Sequence, residues 1–135
     1  RAQAHAEGKT FAAYCYSAHG ENHWMRMSAQ RFREVDEREV EEFISSPEWV
    51  DMFAHVKRSF AGPFGLGLKV VAPEAGFTWP EEDFDGEESV NARREALAGD
   101  LVARQRLLDY NSGDVQATRA VREWMDAGAP GTTAL

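Results

Sequence analysis

The sequence predicts an α/β domain, rich in helix and built around one central strand. Three observations predict it. Phe11-Ala12-Ala13-Tyr14-Cys15-Tyr16 is a short apolar run with three aromatics, bounded by Lys9-Thr10 and Ser17, which is how a buried strand reads. Most of the chain after it spaces apolar residues three and four apart between Gly and Pro breaks, which is how helices read. The length of 135 residues, 43% hydrophobic and 28% charged, is that of one globular domain with a single core.

Taken in order, residues 1–8 read as the tail of a helix ended by Gly8. After the strand, Ser17-Ala18-His19-Gly20 makes a turn. Glu21 to Phe32 is then helical, with Trp24, Met25, Ser28 and Phe32 on its inner face. Asp36 caps a helix over Glu37 to Ile44, with Val40, Phe43 and Ile44 as its apolar side. Ser45-Ser46-Pro47 breaks it, and Trp49 to Phe53 leads into a helix ending near Phe60. A loop follows, then a short helix from Leu66 to Ala75 stopped by Gly76. Six acids between Glu81 and Glu88 form a solvated connector. Ser89 to Ala98 is helical, and beyond Gly99 the chain enters its last long helix, strongest from Leu107 to Ala127. Residues 128–135 form a flexible tail after a domain spanning 1–127.

A net charge of -8 argues against a broad DNA-coating surface, which needs clustered Lys and Arg. The single cysteine, Cys15, rules out an internal disulfide and fits a reducing, cytoplasmic compartment. No apolar run approaches membrane-spanning length and no signal peptide is visible, so no membrane partner is expected. The chain opens on Arg1 without an initiator Met and is expected to be a piece of a longer protein. One strand cannot satisfy its own backbone groups. The remaining strands are therefore expected before Arg1, and the two open edges of strand 10–16 invite a homodimer.

Several residues could carry chemistry. Tyr110 and Asp114, four apart, project from one helix face, where Ala117, Val121 and Trp124 continue a buried stripe. The bland account is an acid favoured by a helix start and a tyrosine at a core edge. Glu21 follows the strand's end, where α/β sheets place ligand-handling groups, yet an acid in a first helical turn is also ordinary. His19 and His23 do not form the His-Glu-x-x-His zinc pattern, since His19 precedes the predicted helix. Lys69, after Gly65-Leu66-Gly67-Leu68, reads as a phosphate contact or a surface lysine, and no full phosphate-loop motif surrounds it. The arginine pairs near 93, 104 and 119 read as solvated helix faces or a weak basic strip.

Three stretches together resemble a known family: Tyr14 to Glu21; Trp49-Val50-Asp51-Met52 on through Gly65-Leu66-Gly67-Leu68-Lys69-Val70-Val71-Ala72 to Gly76-Phe77; and Leu108-Asp109-Tyr110-Asn111-Ser112-Gly113-Asp114-Val115-Gln116-Ala117-Thr118 to Trp124. The likeness, over about residues 10 to 126, is to the C-terminal part of the RNase H-like domain of predicted bacterial nucleases, relatives of proofreading-type exonucleases. The Tyr-Asn-x-x-Asp-x-x-Ala-Thr block is its most specific piece.

The resemblance implies a mixed sheet flanked by helices and four carboxylates holding two divalent ions, Mg²⁺ or Mn²⁺, about 4 Å apart. Asp114 matches the last metal-binding acid, and Tyr110 the group one turn earlier that orients the water, in its tyrosine variant. Glu21 stands at the middle acid, where many relatives have Asp. Asp51 also matches a family position, as an acid at a helix entry or behind a ligand. The family's first motif, Asp-x-Glu on an opening strand, is expected before Arg1. The implied function is hydrolysis of DNA or RNA phosphodiesters from a three-prime single-stranded end, crippled in this chain alone. Helicase or recombination modules are the implied companions in the parent protein. The alternative is a non-catalytic, helix-rich interaction or regulatory module.

Overall fold

The structure is a computed structural model that describes residues 1–80, 84 and 86–133. The chain falls into two compact units, residues 1–66 and 67–135.

The first unit begins with α1 (Ala2–Ala6), and Gly8 turns the chain at φ 68°. Strand β1 spans Ala13–Cys15, shorter than the 10–16 expected, and half-buried, with Tyr14 40% exposed and Cys15 buried. Helix α2 (Ala18–Phe32) and helix α3 (Glu37–Ile44) then cross to β2 (Trp49–Asp51), which is followed directly by α4 (Met52–Ser59). β1 and β2 pair in parallel, Ala13 opposite Trp49 and Cys15 opposite Asp51, which is possible because a long crossover separates them.

This pairing corrects the expectation of one central strand. Trp49-Val50-Asp51 is too short to show alternation, and helical Met52 follows at once, so the segment reads as a helix entry. One of the two edges expected to be open on β1 is therefore occupied by β2.

Two further expectations change. Ser17–Gly20 is not a turn, because α2 starts at Ala18. Its buried residue is Ala29, while Trp24 (68% exposed) and Phe32 (62%) rim an open groove with Met25, Val35, Val40 and Phe43. By contrast α3 runs as expected, with the Asp36 carboxylate accepting from Arg38 N at 2.7 Å. Phe43 packs between Phe11 (6.4 Å) and Trp49 (5.5 Å), and Met52 and Val56 of α4 are buried.

The second unit is helical: α5 (Leu68–Glu74), α6 (Gly86–Leu97) and α7 (Leu101–Asp126), with α5 and α6 both packed on α7. Gly76 (φ 79°) ends the first of these and Gly99 (φ 104°) separates the other two, conformations that favour glycine. Asp100 caps α7 by accepting from Val102 N and Ala103 N. Helix α6 starts three residues earlier than expected, so Glu87 and Glu88 occupy its first turn, where the helix dipole favours acids. The rest of the solvated connector expected at 81–88 lies outside the described residues, except that Phe84 is among the most buried side chains of the chain. Its core partners are Ala92 and Ala103, with Leu107 and Tyr110 against them. Among the described residues, no helix is long and apolar enough to cross a membrane.

One carboxylate joins the elements of the first unit. Asp51 Oδ1 accepts from Ser17 N and Phe53 N (both 2.9 Å), and Oδ2 from Ala18 N (3.2 Å). It thus caps α4 and the start of α2 together. Asp51→Ala is expected to destabilise the chain by about 2–3 kcal/mol in urea unfolding, more than a single lost cap, with Asp51→Asn closer to wild type.

Candidate functional site

Glu21, Asp51, His19 and His23 lie in the first unit, and Lys69, Tyr110 and Asp114 in the second. In the first, parallel pairing puts the C-terminal ends of β1 and β2 side by side. Asp51 closes β2, and Glu21 lies exposed in the first turn of α2 beyond β1. Both acids act on Cys15: its thiol is pushed up to about 12, first by burial, then by the charge of Asp51, then by that of Glu21. Tyr16 is likewise pushed up to about 12 by burial and then by Asp51, and its hydroxyl donates to Leu66 O at 2.6 Å. Asp51 has its oxygens filled by three backbone N–H groups, so it is the helix-entry acid that the sequence suggested. Glu21 is the carboxylate here with an outward position.

His19 lies on α2 rather than before it, so His19 and His23 share a helix and are one turn apart. His23 packs edge-on to Trp24 at 5.6 Å. Within either unit, among the described residues, no three His, Cys, Asp or Glu side chains lie together as a metal cage.

In the second unit Tyr110 and Asp114 project from one face of α7, and Gly113, Ala117, Thr118 and Val121 beside them are buried. That helix begins at Leu101, so Asp114 is in its middle and the helix-start account of this acid does not apply. What holds Asp114 is an indole. Trp79 Nε1 donates to Asp114 Oδ1 at 2.9 Å, and Trp79 is only 9% exposed. Phe77 meets the indole edge-on at 5.1 Å, and the Lys69 ammonium sits 3.9 Å above the Trp79 ring and 5.1 Å from the Tyr110 ring centroid. The Tyr110 ring packs on Phe84 at 4.9 Å. Lys69 is thus held by aromatic faces, a role that sequence reasoning did not assign.

Sequence reasoning also missed Trp79 and Gly113. The signal was present in Gly113: a glycine inside a helix is unfavourable unless something approaches its backbone closely. Here a Cβ would stand 2.9 Å from Trp79 Cδ1 and 3.3 Å from Nε1.

A carboxylate is the ligand type a hard divalent ion takes, but among the described residues no cluster of acids, histidines or cysteine completes a cage around Asp114. Carboxylate oxygens are the ligands Mg²⁺ and Mn²⁺ prefer, and Mg²⁺ takes only one or two of them beside water and substrate phosphate. The side-chain contact that the structure gives Asp114 is the indole N–H on Oδ1.

The profile of the RNase_H superfamily matches residues 6–126, and the chain belongs to that superfamily. No curated protein and no solved structure matches it.

Two outcomes follow from this packing. Gly113→Ala gains about 1 kcal/mol of helix propensity but forces the buried indole aside, at an overpacking cost of about 1–3 kcal/mol. A net loss of stability is expected in thermal unfolding. Cys15 should resist alkylation in the folded chain at pH 8, where its thiolate fraction is lower by roughly three orders of magnitude than that of a thiol at the ordinary 9.0. Labelling should appear with denaturant, as followed by mass spectrometry.

Proposed function

We propose that this chain is part of a metal-dependent nuclease that hydrolyses phosphodiester bonds of DNA or RNA, working as a three-prime-to-five-prime exonuclease on a single-stranded end. Membership of the RNase_H superfamily over residues 6–126 carries the reading. It is supported by Tyr110 and Asp114 one turn apart on α7, and by an exposed carboxylate, Glu21, beyond the end of a parallel strand.

In this reading Asp114 and Glu21 are metal ligands, each contributing hard carboxylate oxygen. Mg²⁺ or Mn²⁺, when bound, supplies an activated water and neutralises charge at the leaving oxygen. Tyr110, one turn before Asp114, orients the attacking water through its hydroxyl while its ring is fixed against Phe84.

A second reading, a non-catalytic interaction or regulatory module, is favoured by one observation. The Trp79 bond accounts for a half-buried Asp114 by packing alone.

The test uses the full-length protein with Mn²⁺ and labelled single strands. Asp114→Asn and Glu21→Gln are each expected to slow digestion on the order of 100-fold. Equal digestion by wild type and Asp114→Asn removes Asp114 from the chemistry, and a wild-type protein that digests nothing favours the second reading.

A further inference from the structure

We infer that the groove between α2 and α3 is a docking surface for a basic, apolar-faced helix of a partner protein. The surface lies wholly in the first unit and uses none of the residues given a part in hydrolysis.

Trp24, Met25 and Phe32 of α2 form one wall, Val40 and Phe43 of α3 the other, and Val35 joins them. Single exposed apolar residues are ordinary, but these border one concavity, and a continuous apolar patch marks an interaction site. Its two rim rings, Trp24 and Phe32, are the kind of large aromatic that anchors an interface. The walls are already fixed. The Arg31 guanidinium lies 5.2 Å from the Phe32 ring centroid, and Phe43 is held by Phe11 and Trp49. Arg26 donates twice to Glu41 (2.5 and 2.9 Å) and Gln30 to Glu37 (3.2 Å), which ties α2 to α3. A surface ordered in advance loses little freedom when a partner seats on it.

Shape and charge choose the occupant. Residues 24 to 32 of α2 span about 12 Å, which matches two turns of a partner helix with apolar anchors at i, i+3 or i+4, and i+7. Between the two rim rings this wall carries only Ser28 and Ala29, a notch that admits an anchoring side chain. Three charged side chains line the groove. Arg1 is neutralised by Glu48, whereas among the described residues the exposed Glu34 and Glu39 make no ion pair. Arg31 lies against Phe32 without lining the groove. The unopposed lining charge is therefore negative, and a complementary partner carries Lys or Arg beside its apolar face. A second copy seated groove to groove would bring two acidic rims together. A small ligand would need walls that enclose it, and this groove is open.

The test uses the full-length protein and two synthetic helical peptides of about 15 residues, leucine on one face and either lysine or glutamate on the other. Fluorescence anisotropy of the labelled peptides should show the lysine form bound about 10-fold more tightly or better. Trp24→Ala and Phe32→Ala should each weaken that binding about 10-fold, the loss typical of an aromatic anchor. Both side chains are mostly exposed, so the fold should survive their removal. Glu34→Lys combined with Glu39→Lys should abolish the preference for lysine. Most of the 23 Asp and Glu remain in that variant, so the loss marks the groove rather than a general attraction to an acidic protein. Lysine-peptide binding that survives both alanine variants, equal affinity for the two peptides, or no binding at all overturns the inference. So does a Trp24 shielded from acrylamide before peptide is added, judged against Trp24→Phe, because the protein then covers its own groove. An oligomer that Phe32→Ala dissociates gives the groove to a second copy and overturns it as well. None of these results bears on the digestion assay of Asp114→Asn.

Discussion

The first unit depends on the carboxylate of Asp51. Two strands of three residues each offer few ladder bonds, and a pair that small has little stability by itself. Asp51 compensates at the end of β2 by taking the first N–H groups of two helices. The same bonds hold Ser17 at φ 71°, a left-handed conformation that a non-glycine residue adopts only when its surroundings impose it. Strand pairing, the start of α2 and the start of α4 thus share one fixed point. Its charge also reaches Cys15 and Tyr16, adding to the burial that raises both groups.

The second unit has a comparable centre in Trp79. Its ring joins α5 to α7 through Lys69 on one side and Gly113 on the other, and its N–H ends on Asp114. Many of the buried side chains described in this unit are small, Ala72, Ala103, Ala117 and Val121 among them, and Trp79 and Phe84 are its large buried rings. Small-residue helix faces with one or two inserted aromatics make cores whose fit depends on few positions.

Much of this was legible in the sequence. Capping aspartates such as Asp36 and Asp100 and the breaks at Gly76 and Gly99 set helix ends correctly, because caps and glycines act locally. The Tyr110, Asp114, Ala117, Val121 face was legible for the same reason: spacing along a helix is a local property. What stayed hidden depends on contacts distant in sequence. Trp49–Asp51 is a strand only because Ala13–Cys15 pairs with it, 36 positions earlier in register. Trp24 and Phe32 fit an inner helical face by periodicity, yet the described elements leave both exposed. The bond between Trp79 and Asp114 joins residues 35 apart, and no spacing rule announces it.

Gly113 carries a consequence for how this chain can change over generations. The missing Cβ and the indole occupy the same small volume, so neither position is independent of the other. A larger residue at 113 becomes acceptable only when the ring at 79 shrinks, and a smaller ring without the glycine's replacement leaves a void beside α7. Related sequences should therefore swap bulk between these two sites as a pair, and a lineage that gives up the tryptophan frees the helix to regain an ordinary alanine.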